Sequence, residues 1–98
     1  MTHLVAFHKM AAVELNETAA YYESKITGLG MDFVDEIERS VEQIRSQPEA
    51  YPRIFQVVRR KMLRRFPYNI LYSIVGVQVR ILAIASQKRR PLYWRGRM

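Results

Sequence analysis

The sequence predicts an α+β domain over residues 1–98, a β-α-α-β-β-β chain in which a helical hairpin packs on one face of a mainly antiparallel sheet. Three observations carry that expectation. Apolar residues recur at spacings of three and four through the first half and lose that period in the second. The second half is instead rich in β-branched and aromatic residues with stretches that alternate. Charge divides at the same place: residues 1–50 carry nine acids against four bases, a net of −5, whereas residues 51–98 carry twelve Lys and Arg and no acid, a net of +12.

The elements follow in order. Leu4-Val5-Ala6-Phe7 reads as a short opening strand. From about Lys9 to Thr27, Ala12, Leu15, Ala19, Tyr22 and Ile26 fall on one helical face. Gly28-Leu29-Gly30 breaks that helix, because glycine readily takes the left-handed conformation that ends one. A second stripe, Phe33, Ile37, Val41 and Ile44, defines the next helix, which Pro48 stops. Asp32, Asp35, Glu38 and Glu42 point largely elsewhere, so the acids of the hairpin are expected in solvent, with Asp35 and Arg39 paired at i,i+4.

Strands are expected around Ile54–Phe66, Tyr68–Val75 and Val77–Ser86, with Gly76 as the turn between the last two. Tyr68, Ile70, Tyr72 and Ile74 share one face, and Asn69, Leu71, Ser73 and Val75 the other. By the same alternation Val79, Ile81, Ala83 and Ala85 oppose Arg80, Leu82, Ile84 and Ser86. The near-continuous apolar run Ile81–Ala85 suits a central strand covered on both faces.

Composition narrows the chemistry. The chain has no cysteine, which excludes a disulfide scaffold and a thiolate zinc site, and its two histidines cannot hold a metal alone. No cofactor is expected. No apolar run approaches the roughly 20 residues that cross a bilayer, so the expectation is a cytoplasmic protein without membrane association. No acid follows Glu49, and both histidines, His3 and His8, lie at the N-terminus. The basic half therefore lacks a conventional general base, and paired-carboxylate hydrolysis, a Ser-His-Asp arrangement and a Gly-rich phosphate loop are unsupported. Ser86 reads as a strand-end hydroxyl.

Two basic clusters remain, Arg59, Arg60, Lys61, Arg64 and Arg65 before the last strand pair and Lys88, Arg89 and Arg90 after it. Adjacent strands are expected to bring both to the sheet face away from the helices, as a platform for phosphate or carboxylate groups. Tyr93 is a candidate stacking or proton-transfer group beside them, and Trp94 an anchor for the tail.

The order and spacing of Ala20-Tyr21-Tyr22-Glu23, Gly28-Leu29-Gly30, Arg59-Arg60, Arg64-Arg65-Phe66-Pro67-Tyr68, Ala83-Ile84-Ala85, Lys88-Arg89 and Tyr93-Trp94 resemble the RelE/ParE superfamily of type II toxin–antitoxin toxins over nearly the whole chain. The resemblance implies growth inhibition by the free protein and neutralisation by a cognate acidic antitoxin. Ribonuclease members similar to RelE place an arginine in the strand where this chain has Asn69, and plasmid-stabilisation relatives often carry histidine at Ser86 and an acid at Arg90. These departures favour a ParE-like inhibitor that binds DNA gyrase and cleaves nothing itself. The alternatives are a RelE-like, ribosome-dependent mRNA endoribonuclease, for which Arg65, Arg89 and Tyr93 would be catalytic, and an inactive binding module in an antitoxin complex.

Overall fold

A computed structural model describes residues 3–98; residues 1 and 2 of the expected unit lie outside the described residues. Strand β1 (Leu4–Phe7) leads into helices α1 (Lys9–Lys25) and α2 (Leu29–Ser46). Four strands follow, β2 (Arg53–Phe55), β3 (Val58–Met62), β4 (Tyr68–Val75) and β5 (Gln78–Ser86). They form one sheet of order β1-β5-β4-β3-β2, in which only the β1–β5 pair is parallel. The fold is thus the expected α+β hairpin on a mostly antiparallel sheet. Its fifth strand arises because the segment read as Ile54–Phe66 splits into β2 and β3, with Gln56 at φ 50 in the turn.

Helix α1 starts on His8, whose Nδ1 accepts the Met10 N–H at 3.0 Å. Its buried stripe is shifted from the sequence expectation: Ala11 is fully buried, Leu15, Ala19 and Tyr22 are partly buried, and Ile26 lies beyond the helix end and is exposed. The two glycines between the helices do different work. Gly28, at φ 89, takes the left-handed turn. Gly30 is already inside α2, and a Cβ there would sit 2.5 Å from the Ala19 carbonyl oxygen, so this residue sets how closely the helices approach. Glu23 joins them, accepting the N–H groups of Gly28 and Gly30 at 2.9 and 3.0 Å. On α2 the observed ion pair is Glu42–Arg45, not Asp35–Arg39.

Phe33, Ile37 and Ile44 of α2 meet Ile70, Tyr72, Val79, Ile81 and Ile84 in the core between hairpin and sheet. An aromatic cluster closes one end, where Phe66 packs on Tyr22 and Phe33 at centroid distances of 4.9 and 5.1 Å. Such pairs each contribute about 0.5–1.5 kcal/mol beyond burial. This gives the Phe66-Pro67-Tyr68 run a structural role at the start of β4.

The alternation expected in β5 fails in its middle. Leu71 of β4 lies opposite Ala83 and Tyr72 opposite Ile81, which leaves Leu82 as the extra residue of a β-bulge. Ala83 and Ala85 therefore join Leu82 on the face away from the helices, and Ile84 joins the helix side. Val58, Leu71, Leu82, Ala83 and Ala85 form a second small core there, covered by Trp94 at 3% exposure. The tail is docked, and the sheet face opposite the helices is partly occupied by it.

Candidate functional site

The bulge also explains what the tail docks on. Strand β1 pairs with β5 only as far as Ile81, so the edge of β5 beyond it lacks a neighbouring strand. Side chains satisfy that edge. The Ile84 N–H donates to Glu14 Oε1 at 3.0 Å, and Arg97 donates to the Leu82 carbonyl at 3.1 Å. Glu14 and Arg97 also pair with each other, both contacts at 2.9 Å, with only 11% and 13% of their side chains exposed. The Tyr93 hydroxyl donates to Glu14 Oε2 at 2.9 Å. Burial, and then the hydrogen bond to Glu14, push the Tyr93 phenol up to about 12.

This arrangement corrects the picture of hairpin acids in solvent. Asp35, Glu38 and Glu42 are exposed as expected. Glu14 is not, and neither is Glu36, which is 8% exposed and accepts the backbone N–H groups of Arg64 and Arg65. Asp32 pairs with the Arg65 guanidinium at 3.0 Å. Sequence reasoning missed these contacts because their partners lie 28 to 83 residues away, beyond any local period. The only signal was that the basic half has no acids of its own.

On the face opposite the helices, the docked tail and the sheet enclose a groove of about 320 Å³. Leu71, Ala85 and Trp94 supply its apolar lining, and Arg60, Arg89 and Arg90 its charge, together with the neutral polar groups of Asn69, Ser86 and Gln87. The Arg60 Nε is buried without a hydrogen-bond partner among the described residues. The Arg89 guanidinium lies 3.9 Å from the centre of the Tyr93 ring, which fixes that arginine by cation–π contact. Ser86 Oγ accepts the Lys88 N–H at 3.2 Å in the turn that follows β5, the strand-end role expected of it.

The two basic clusters do not merge. Of the first, only Arg60 reaches the groove. Arg59 turns to the helix side, where it donates to the Tyr51 carbonyl at 2.6 Å, while Lys61, Arg64 and Arg65 line a separate cleft against α2. The register causes the division: Arg59 and Lys61 lie opposite Tyr72 and Ile70, both on the helix side, and Arg60 lies opposite Leu71. Of the second cluster, Arg89 and Arg90 line the groove and Lys88 is exposed outside its lining. Tyr93 contributes to the wall, but its hydroxyl is occupied by Glu14.

The groove lining contains no carboxylate and no imidazole. Among the described residues no three His, Asp or Glu side chains gather as a metal site, and no helix is long and apolar enough to cross a membrane. Chemically the groove is an anion receptor with an apolar floor. Proton transfer within it would have to come from a phenol that stays protonated at neutral pH.

The helical hairpin on a mostly antiparallel five-stranded sheet is a fold shared with solved chains from the ParDE and RelE systems. A chain of the chromosomal ParDE TA system from P. aeruginosa superposes with a TM-score of 0.75 at 20% identity, over 87% of this chain and 96% of that one. The isolated E. coli RelE toxin superposes with a TM-score of 0.65 at 17% identity, over 96% of this chain and 94% of that one. No family model matches the sequence, and no curated protein matches it. At these identities the likeness is one of fold, and it is slightly greater to the ParDE chain.

Proposed function

We propose that this chain is the toxin of a type II toxin–antitoxin system and that it arrests growth by binding DNA gyrase, without breaking a bond itself. The observation that carries the reading is the groove's composition. It gathers Arg60, Arg89 and Arg90 but no group able to accept a proton near neutral pH, and the one phenol beside them is pushed up to about 12. Binding an anionic or hydrogen-bond-rich surface needs only the arginines. The higher fold likeness to the ParDE chain agrees with this choice. Purified gyrase assayed for supercoiling should lose activity as the protein is added. Full activity at saturating protein would overturn the reading.

One observation favours a second reading, a RelE-like, ribosome-dependent mRNA endoribonuclease. Arg89, stacked on Tyr93, could stabilise the charge of a phosphorane. That reading requires transcript cleavage in a translation extract, lost in Arg89→Gln. Intact transcripts under active translation would remove it. In either case an acidic antitoxin segment is the natural neutraliser of the basic half, and its association rate should fall with ionic strength. A rate independent of salt would argue against that partner chemistry.

A further inference from the structure

The loop between β3 and β4 builds a second basic site, on the helix side of the sheet and separate from the groove. Arg39 and Gln43 of α2, Lys61 of β3, and Arg64 and Arg65 of the loop line a cleft of about 430 Å³. Glu36 lies in its wall, but its carboxylate already accepts the Arg64 and Arg65 N–H groups, and Asp32 is paired with the Arg65 side chain. Arg39, Lys61 and Arg64 have no ion-pair partner among the described residues.

The segments that carry these cations are held in place. Leu63 and Phe66, on either side of the two arginines, are 6% and 5% exposed, so the loop is pinned at both ends by core residues. Glu36 fixes its backbone between them. The Lys61 ammonium rests over the Tyr51 ring at 4.8 Å. Three cations from three segments, around one polar cleft whose single carboxylate is turned to backbone N–H groups, leave the lining net positive and favour an anion. A carboxylate presents one planar edge, which a single guanidinium can satisfy. A phosphate presents oxygens in several directions, which suits cations arriving from α2, β3 and the loop at once.

We propose that this cleft binds the phosphodiester backbone of a nucleic acid strand through Arg39, Lys61 and Arg64. The site stands apart from the groove and from the gyrase reading, and it requires no catalysis. Phosphate contacts of this kind carry no sequence preference and release counterions, so they are read in the salt dependence of binding.

The test is fluorescence anisotropy of short labelled single strands, one of DNA and one of RNA, titrated with the full chain over a series of salt concentrations. Arg39 and Arg64 are exposed, so Arg39→Gln/Arg64→Gln should fold normally, as circular dichroism would verify. Two lost phosphate contacts should reduce the slope of log affinity against log salt by about 1.4 for single strands. Lys9→Gln/Arg53→Gln removes the same charge from other exposed positions and should leave the slope within error of the parent. Equal losses in both double variants would reduce the effect to net charge and overturn the proposal. So would a loss confined to the groove variant Arg89→Gln/Arg90→Gln, or cleft-dependent binding of polyglutamate with none of either nucleic acid. Binding of one strand and not the other upholds the site and names its source.

Discussion

Replacing Glu14 by alanine should undock the C-terminal segment, and the structure sets the size of the effect. The Glu14 carboxylate accepts four hydrogen bonds, from the Ile84 N–H, the Tyr93 hydroxyl and two Arg97 nitrogens, at 11% side-chain exposure. Its removal leaves Arg97 with one carbonyl partner and leaves the Ile84 N–H without its carboxylate acceptor. Breaking a buried pair from one side costs about 3–5 kcal/mol, a large part of the 5–15 kcal/mol typical of a small domain. At about 4–8 °C per kcal/mol, a loss of about 3 kcal/mol lowers Tm by about 12–24 °C. Trp94 is the only tryptophan, so its emission reports tail docking directly. The Glu14→Ala variant should show red-shifted emission at temperatures where the helical signal persists. Glu14→Leu/Arg97→Met, which removes both charges, should recover part of the stability. A Glu14→Ala variant within about 1 kcal/mol of the parent, with unchanged emission, would refute the role given to this pair.

Three further outcomes follow from the same geometry. Burial raises the phenols of Tyr72 and Tyr93 to about 12, so the fold prefers their neutral forms; stability should hold below pH about 10 and fall as pH rises from there through about 12. Spectrophotometric titration of tyrosinate beside a stability curve would check this, and two phenols titrating normally in the folded protein would contradict it. Gly30→Ala should cost about 1–3 kcal/mol in urea denaturation through collision with the Ala19 carbonyl, whereas Gly28→Ala should cost about 1–2 kcal/mol through the left-handed turn alone. Tyr72→Phe removes the hydroxyl that donates to the Pro48 carbonyl in the core and should cost about 1–3 kcal/mol, again read by urea denaturation.

Much of the fold was legible because it is written in local periods. The helical stripes, the faces of β4 and the turn at Gly76 each depend on residues within a few positions of one another. The burial of Trp94 was legible from size and polarity. What escaped has a different physical origin. The turn at Gln56 lacks the glycine or asparagine that usually marks a left-handed residue, so β2 and β3 read as one strand. The bulge at Leu82 cannot be seen in a run where every residue is apolar, because alternation has no polar partner to mark its phase. The site suffered most. Which basic residue enters the groove depends on the β3–β4 register, and which acid crosses to the tail depends on three-dimensional proximity of α1 and residue 97.

The bulge makes β5 a strand whose length matters more than its hydrophobicity. Deleting one residue at Leu82 or Ala83 would restore strict alternation with every remaining side chain on its present face, whereas a deletion at Arg80, ahead of the bulge, would turn every later side chain of the strand to the other face. An isoleucine would then press against the Trp94 ring, where alanines now leave room for it. The groove wall built by the tail would rise off the sheet with the indole. Chains of this fold can therefore tolerate gaps at the exposed Gly76 turn, or at the bulge itself, far better than elsewhere in β5, and an alignment that places one ahead of the bulge describes a different groove.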